Sequence, residues 1–368
     1  MSQVLSIQPL PFDPAFEQVP DDEPETIREL GEAIRVIIET TYRDTGHAMR
    51  GVHAKSHGLL QGEIQILDNL PAELAQGAFA RPGAFPVIMR FSTNPGDILD
   101  DNVSTPRGLG IKIMGVEGAR LPGAENQVTQ DFVMQNAPAF TAPTPKAFLK
   151  SLKMLSKTTD KAPSVKRAMS AILRGTEAVI EAVGAESPTI KSLGGHPETN
   201  LLGETYSTVV PLLYGLYYCK VTVVPVSAEL AALTDAKVDL SGRPDGLRES
   251  VNEFFATHDG EWEVRVQLAT DIEKMPVEDA SAIWPEDLSP PITVARIRVS
   301  PQPAWTEARS GVVDDTLAFS PWHGLAAHRP IGGVNRSRKP VYEMSAGFRG
   351  TRNGCPMHEP QTLDGLLP

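Results

Sequence analysis

Apolar residues recur at helical spacing near the start of this chain, at Ile27, Leu30, Ile34 and Ile37. The pattern predicts an amphipathic helix running to about Tyr42. Asp22, with Glu25 three residues on, reads as a capping box at its start. Beyond it the period shortens. Runs rich in Val, Ile, Tyr and Phe, divided by Gly, Pro, Asn and Asp, predict strands near 59–66, 86–92, 108–114 and 130–135. Four more are predicted near 205–211, 215–226, 261–270 and 292–299. Eight strands with few free edges suit a closed antiparallel barrel, so the expected class is α+β. Helical spacing returns at 145–192, from Phe148 and Leu149 to Val179 and Ile180, and again at 244–257. A last helix should begin near Ser337 and run toward Phe348, because proline is tolerated in a first turn and Pro340 lies there.

Composition narrows the partners. A net charge of -12 with no Lys/Arg-rich run argues against nucleic acid and against an anionic membrane surface. No apolar run approaches the roughly 20 residues that span a bilayer. The first 20 residues are proline-rich and lack the charged and apolar regions of a signal peptide. Cys219 and Cys355 are far apart and form no metal or redox motif, so a reducing, cytoplasmic setting is expected.

Chemistry concentrates in four places. Arg338-Lys339-Pro340-Val341-Tyr342 puts a guanidinium one helical turn before a phenol. A fixed cation there favours tyrosinate, a hard anionic ligand for ferric iron. Alone, such a pair is most often a surface cation and phenol. Arg50-Gly51-Val52-His53 leads to His57, a spacing that resembles a metal pair, but Gly58 and the following strand argue against it. Arg90-Phe91-Ser92 ends a strand, where Ser92 could orient a histidine ring or simply face solvent. Asn136 precedes Ala137-Pro138, as a turn-former or as a donor toward a ligand. No nucleophile elbow, Walker loop or dinucleotide-binding glycine motif is present.

Taken in order, R-G-V-H-A-K, R-F-S-T, P-R-G-L-G-I-K, D-F-V-M-Q-N-A-P, M-P-V-E-D-A-S-A-I-W, A-F-S-P and R-K-P-V-Y resemble the haem catalase family over most of 45–355. The likeness is weakest over the first 40 residues and at 150–195. It implies the catalase antiparallel barrel, with haem b between the barrel and the helix carrying its tyrosine ligand. Tyrosine is the established haem-iron ligand of catalase. By this resemblance Tyr342 falls on that ligand and Arg338 on its arginine partner. His53 falls on the distal histidine, Val52 on the residue before it, Asn136 on the distal asparagine and Ser92 on the serine that steadies the histidine. Arg50, Arg90 and Arg349 fall on the arginines that pair with haem propionates, bidentate work that a guanidinium suits.

The resemblance implies an arm and amphipathic helix over 1–44, a haem domain over 45–355 with a helical insert at about 145–192, and a tail over 356–368. No flavodoxin-like domain is expected. The shortened form is similar to the small catalase-related peroxidases and, more distantly, to the catalase-like allene oxide synthases. The implied activity is decomposition of hydrogen peroxide or organic peroxides, with a small organic electron donor. The alternative is conversion of unsaturated fatty acids or their hydroperoxides. A threonine precedes the distal histidine in allene oxide synthases, and Val52 here removes that hydroxyl. The motif after Asn136 reads Phe140-Thr141, one aromatic fewer than the family pattern, which leans toward wider access. A monomer or homodimer is expected, with a tetramer possible.

Overall fold

A computed structural model describes residues 7–103, 105–156 and 197–368. Nine antiparallel strands form one sheet: β1 Lys55–Ile66, β2 Gly83–Thr93, β3 Arg107–Ile113, β4 Gln130–Gln135, β5 Tyr206–Ser207, β6 Leu212–Tyr214, β7 Tyr217–Pro225, β8 Gly260–Leu268 and β9 Ile292–Val299. The two-residue β5 closes the ring, pairing Ser207 with Gln135 of β4 and Tyr206 with Val223 of β7. Eight strands therefore make a closed barrel, and β6 is a hairpin arm on the start of β7. The single strand expected at 205–211 is divided between β5 and β6. Closure removes every free edge from the ring.

Strict alternation sorts the strand residues. Val87, Met89 and Phe91 of β2, Leu109 and Ile111 of β3, and Phe132 and Met134 of β4 fill the barrel interior with Trp262 and Val264 of β8. Their neighbours face outward: Ile88, Arg90 and Ser92; Gly108, Gly110 and Lys112; Asp131 and Val133. Six of these eight outward residues are also buried, so something covers this part of the wall. The cover is a helical layer with the chain after Glu307.

The layer is built from α1 Glu23–Thr45, α2 Pro145–Ser156 and α6 Gly333–Arg352. Short helices α3 Ala228–Ala231, α4 Gly246–Phe255 and α5 Glu307–Val313 lie between them in the chain. Leu30, Ile34, Ile37 and Ile38 of α1 pack with Leu149 and Leu152 of α2 and with Val341, Met344 and Phe348 of α6. Ile27 is only half-buried. The rest of the helical pattern expected at 145–192 lies outside the described residues.

Two local expectations are corrected. Asp22 stands at the N-cap of α1, but its carboxylate makes no capping bond and pairs instead with Lys146 at 2.5 Å. Its backbone, φ -92° and ψ 5°, lies outside the extended region from which a cap side chain reaches the N2 and N3 amides. Helix α6 starts at Gly333, so Pro340 sits inside it. Proline there costs the hydrogen bond to the Arg336 carbonyl. The first turn survives because tertiary contacts hold it. Glu278 accepts from the Gly333 N–H at 2.8 Å, and Glu17 accepts from the Gly332 N–H at 3.0 Å. Arg336 bridges Glu17, Glu23 and Glu278 at 3.0, 2.7 and 2.8 Å. No described helix is long and apolar enough to cross a membrane.

Candidate functional site

Between the outer wall of β2–β4 and the inner face of α6 lies a cavity of about 640 Å³. Arg50, Val52, His53, Arg90, Ser92, Tyr342 and Arg349 all line it, so seven of the residues singled out in the sequence meet in one place. Asn136 and Arg338 are not among the lining residues.

The floor is made by two glycines, Gly108 and Gly110, at successive outward positions of β3. A Cβ on Gly108 would lie 2.6 Å from Nδ1 of His53, and one on Gly110 would lie 2.9 Å from the Phe319 ring. The missing side chains let one imidazole and one phenyl lie against the sheet, a use of strand glycine for close approach. Gly108→Ala is therefore expected to push the His53 ring out of place and cost about 1–3 kcal/mol by overpacking. A chemical-denaturation series on the two proteins measures the cost.

His53 holds a left-handed backbone, φ 52°. That conformation is uncommon for a side chain with a Cβ, though histidine tolerates it better than most. Strain of this kind costs about 1–3 kcal/mol and persists where surroundings impose it. Here Arg90 Nη2 donates to the His53 carbonyl at 3.0 Å, and Asn94 Oδ1 accepts its N–H at 3.2 Å. The ring's Nδ1 is buried with no hydrogen-bond partner among the described residues. Burial, helped by the Arg90 and Arg338 cations, pulls the imidazole down to about 3, so it is neutral at pH 7. Ser92 Oγ donates weakly to the Gly108 carbonyl at 3.4 Å and so stands beside the ring. His57 belongs to a different environment. It lies within β1, fully buried, with Nε2 2.9 Å from Thr93 Oγ1.

Arg50, Arg90 and Arg349 converge on the C-terminal end of α5. Asp314 Oδ1 accepts from Arg50 at 2.8 Å and from Arg90 at 2.7 Å, while Arg349 donates to the Asp314 carbonyl. Arg50 also reaches the carbonyls of Val313 and Leu317, both at 3.0 Å. Ser56 and Ser310 donate to Asp314 Oδ2 at 2.6 and 2.8 Å. The adjacent Asp315 is turned to His47, 2.8 Å away. Two guanidiniums thus share one partly buried carboxylate, the third is held on the backbone carbonyl of the same residue, and the cavity wall is left with surplus positive charge. Arg349 Nε is buried without a partner. Burial, with the Arg90 and Arg349 cations, pushes the Arg50 guanidinium well down, and Asp314 and Asp315 counter only part of this.

Burial alone would raise the Asp314 carboxyl, but Arg90 and Arg50 hold it well below the ordinary carboxylate range. A depressed acid contributes stability above its unfolded value, near pH 4, and loses it as pH falls below that. Asp314→Asn should remove this acid-side dependence. At neutral pH it should cost about 3–5 kcal/mol, the penalty of leaving buried cations unpaired. Thermal melts of both proteins from pH 7 to pH 3 check the sign and the size.

Tyr342 reaches the cavity from the opposite side, half-buried, on α6. Arg338 precedes it by one turn, yet its guanidinium goes elsewhere. It donates to Asn335 Oδ1 at 3.2 Å and stacks over the Phe140 ring, 5.9 Å to the centroid. Helical side chains lean toward the N-terminus, which carries Arg338 back along α6. Phe140 itself packs against Phe148, ring centroids 5.0 Å apart, and leaves Phe319 as the one phenylalanine among the lining residues. The Asn136 amide is engaged with the chain: its Oδ1 accepts from the Arg107 N–H at 2.9 Å, and its Nδ2 donates to Glu204.

Sequence patterns did not reveal Asp314 or His323, and Phe319 entered only as part of the A-F-S-P motif. Asp314 lies in an unremarkable Asp-Asp pair, and His323 follows the A-F-S-P motif by two residues. His323 lines the cavity and faces Asp131 and Glu359 at 3.5 and 3.3 Å.

No protein-family model matches the sequence, and no curated protein matches it. Solved structures do. The chain is similar to a fungal catalase, with TM-score 0.57 and 16% identity over 96% of this chain and 66% of that one. Catalase A from Saccharomyces cerevisiae gives 0.56 and 16%, covering 96% and 68%. A bacterial catalase gives 0.56 and 16%, covering 95% and 64%. The fold is catalase-like. The chain spans about two thirds of the length of these structures.

Proposed function

We propose that the cavity between barrel and α6 holds haem b and that the protein is a peroxide-decomposing oxidoreductase. The observation that carries this reading is the meeting of His53, Tyr342 and the Arg50–Arg90–Arg349 cluster in one cavity. The residues fit the group. With the His53 and Phe319 rings laid against the sheet at Gly108 and Gly110, a cavity of about 640 Å³ stays open to a planar molecule, and surplus guanidinium charge with an orphaned Arg349 Nε suits its carboxylates. Tyr342 offers a phenol oxygen from the opposite wall.

Tyr342 would be the iron ligand, and Arg50, Arg90 and Arg349 would hold the propionates. Bound there, haem supplies the redox centre at which an O–O bond is split. The chain's own part is proton handling and positioning. His53, neutral at pH 7, takes a proton from the inner peroxide oxygen and returns it to the outer one. Gly108 and Ser92 keep the imidazole against the sheet, and Arg90 fixes the strained backbone that presents it. Arg338 acts on His53 through its charge. With its amide engaged, Asn136 is assigned to pinning the start of β3 beside Gly108. Hydrogen peroxide or a small organic peroxide is the substrate, with a small organic electron donor.

A second reading, conversion of fatty-acid hydroperoxides, is favoured by Phe140 turning away from the cavity. Turnover separates the two. Oxygen release from hydrogen peroxide, or oxidation of a phenolic donor, supports the first. Products from a lipid hydroperoxide alone support the second, and no turnover with any of them overturns both.

A further inference from the structure

The outer face of β3 carries three stations. At Gly108 lies the His53 ring, at Gly110 the Phe319 ring, and at Lys112 a buried ionic quartet. Lys112 Nζ donates to Asp131 at 2.7 Å and also pairs with Glu359. His323 faces those two carboxylates, and its ring lines the cavity. Lys112 lies four steps along the strand from Gly108, about 13 Å at ~3.3 Å per residue. The cavity thus has one histidine near each end of this stretch.

The two ends have opposite character. At the His53 end the Arg50, Arg90 and Arg349 cations outnumber the one carboxylate among them, Asp314. Around His323 stand Asp131 from β4, Glu359 from the tail and Lys112 from β3, with Arg120 a further cation near the acids. Burial works against the imidazolium, but Asp131 and Glu359 raise His323 to about 9. With His323 protonated, it stands with Lys112 and Arg120 against two carboxylates. Nδ1 lies 3.5 and 3.3 Å from the acids without a hydrogen bond to them, and no hydrogen bond to a described residue engages Nε2.

We infer that His323 is an anchor for the carboxylate of an organic ligand, donating from Nε2 at the end of the cavity remote from His53. This deepens the peroxide reading by naming the substrate class as organic acids with an apolar body. It rests on that reading only for the chemistry at the His53 end. Met357 and Phe319 supply apolar wall beside the anchor.

Calorimetric titration of the full chain with decanoate and with decanol, at pH 7, tests it. The alcohol matches the apolar chain and lacks the charge. A charge-assisted hydrogen bond of about 1.5–3 kcal/mol corresponds to roughly 10–100-fold tighter binding of the acid. That preference should fall toward one in His323→Gln, and in the native protein as pH rises through about 9. Equal binding of acid and alcohol by the native protein overturns the inference. So does a preference that survives in His323→Gln, which would put the carboxylate on Arg50, Arg90 and Arg349. Should His323→Gln not fold, Glu359→Gln replaces it: losing one acid should move the fading of the preference to lower pH, and an unmoved midpoint counts against the anchor. The titrations are run with and without haem. A His323-dependent preference in haem-free protein that takes up no haem would support the anchor while refuting the haem reading.

Discussion

Tyr342→Phe is expected to abolish tight haem binding while leaving the fold intact. The substitution removes one oxygen and keeps the ring, and the half-buried phenol makes no hydrogen bond to a described residue. Stability should therefore move by less than about 1 kcal/mol, as for a change that breaks none of the recognised stabilising features. Haem retention should fall far more, because the only phenol lining the cavity is lost. Any haem that remains would be held by the arginine cluster and the cavity walls, with a changed visible spectrum. The check is haem content per chain after gel filtration. A fully loaded Tyr342→Phe protein with an unaltered spectrum would contradict the assignment.

His53→Gln should do the reverse. Haem content and the Soret band should stay near native, since His53 lies on the sheet side, away from α6. Peroxide turnover should drop by about 10²–10⁴, the usual contribution of a positioned acid–base group. Glutamine keeps a polar side chain of similar reach but cannot cycle a proton near neutrality. The pH profile adds a second readout. Burial, with the Arg90 and Arg338 cations, holds His53 down to about 3, so turnover should be flat through neutrality and fall only at strongly acid pH. Native-like turnover in His53→Gln, or a native profile that breaks near pH 6.5, would remove His53 from this role.

Much of the architecture was legible because strand alternation is short-range. Val87, Met89 and Phe91 point inward whatever their partners are, and the outward set follows. Closure was harder to see. It depends on β5, two residues long, whose pairing with both β4 and β7 leaves no pattern of its own. The start of α6 was misjudged because local propensity puts Pro340 in a first turn. Glu17, Glu23 and Glu278, all distant in the chain, hold an earlier turn through Arg336.

The site shows the same division. His53 and Tyr342 sit in motifs with fixed order, and both line the cavity. The Arg338–Tyr342 spacing does place both residues on one helix, but spacing cannot say where a long side chain goes. Arg338 turns to Asn335 and Phe140. Asn136 has a motif position but also two protein partners that only the folded chain brings to it. Asp314 and His323 matter through what surrounds them. Three arginines around one aspartate, through its carboxylate and its carbonyl, and two carboxylates around one imidazole, are tertiary facts.

The central claim, that this cavity is a haem site, is tested most directly by titrating the native chain with haem while following its thermal unfolding. The account predicts saturation at one haem per chain. It also predicts a melting temperature that rises with free haem, because a ligand bound only by the folded state stabilises it by mass action. Binding that does not saturate, or one-to-one uptake with no shift in melting temperature, would contradict it.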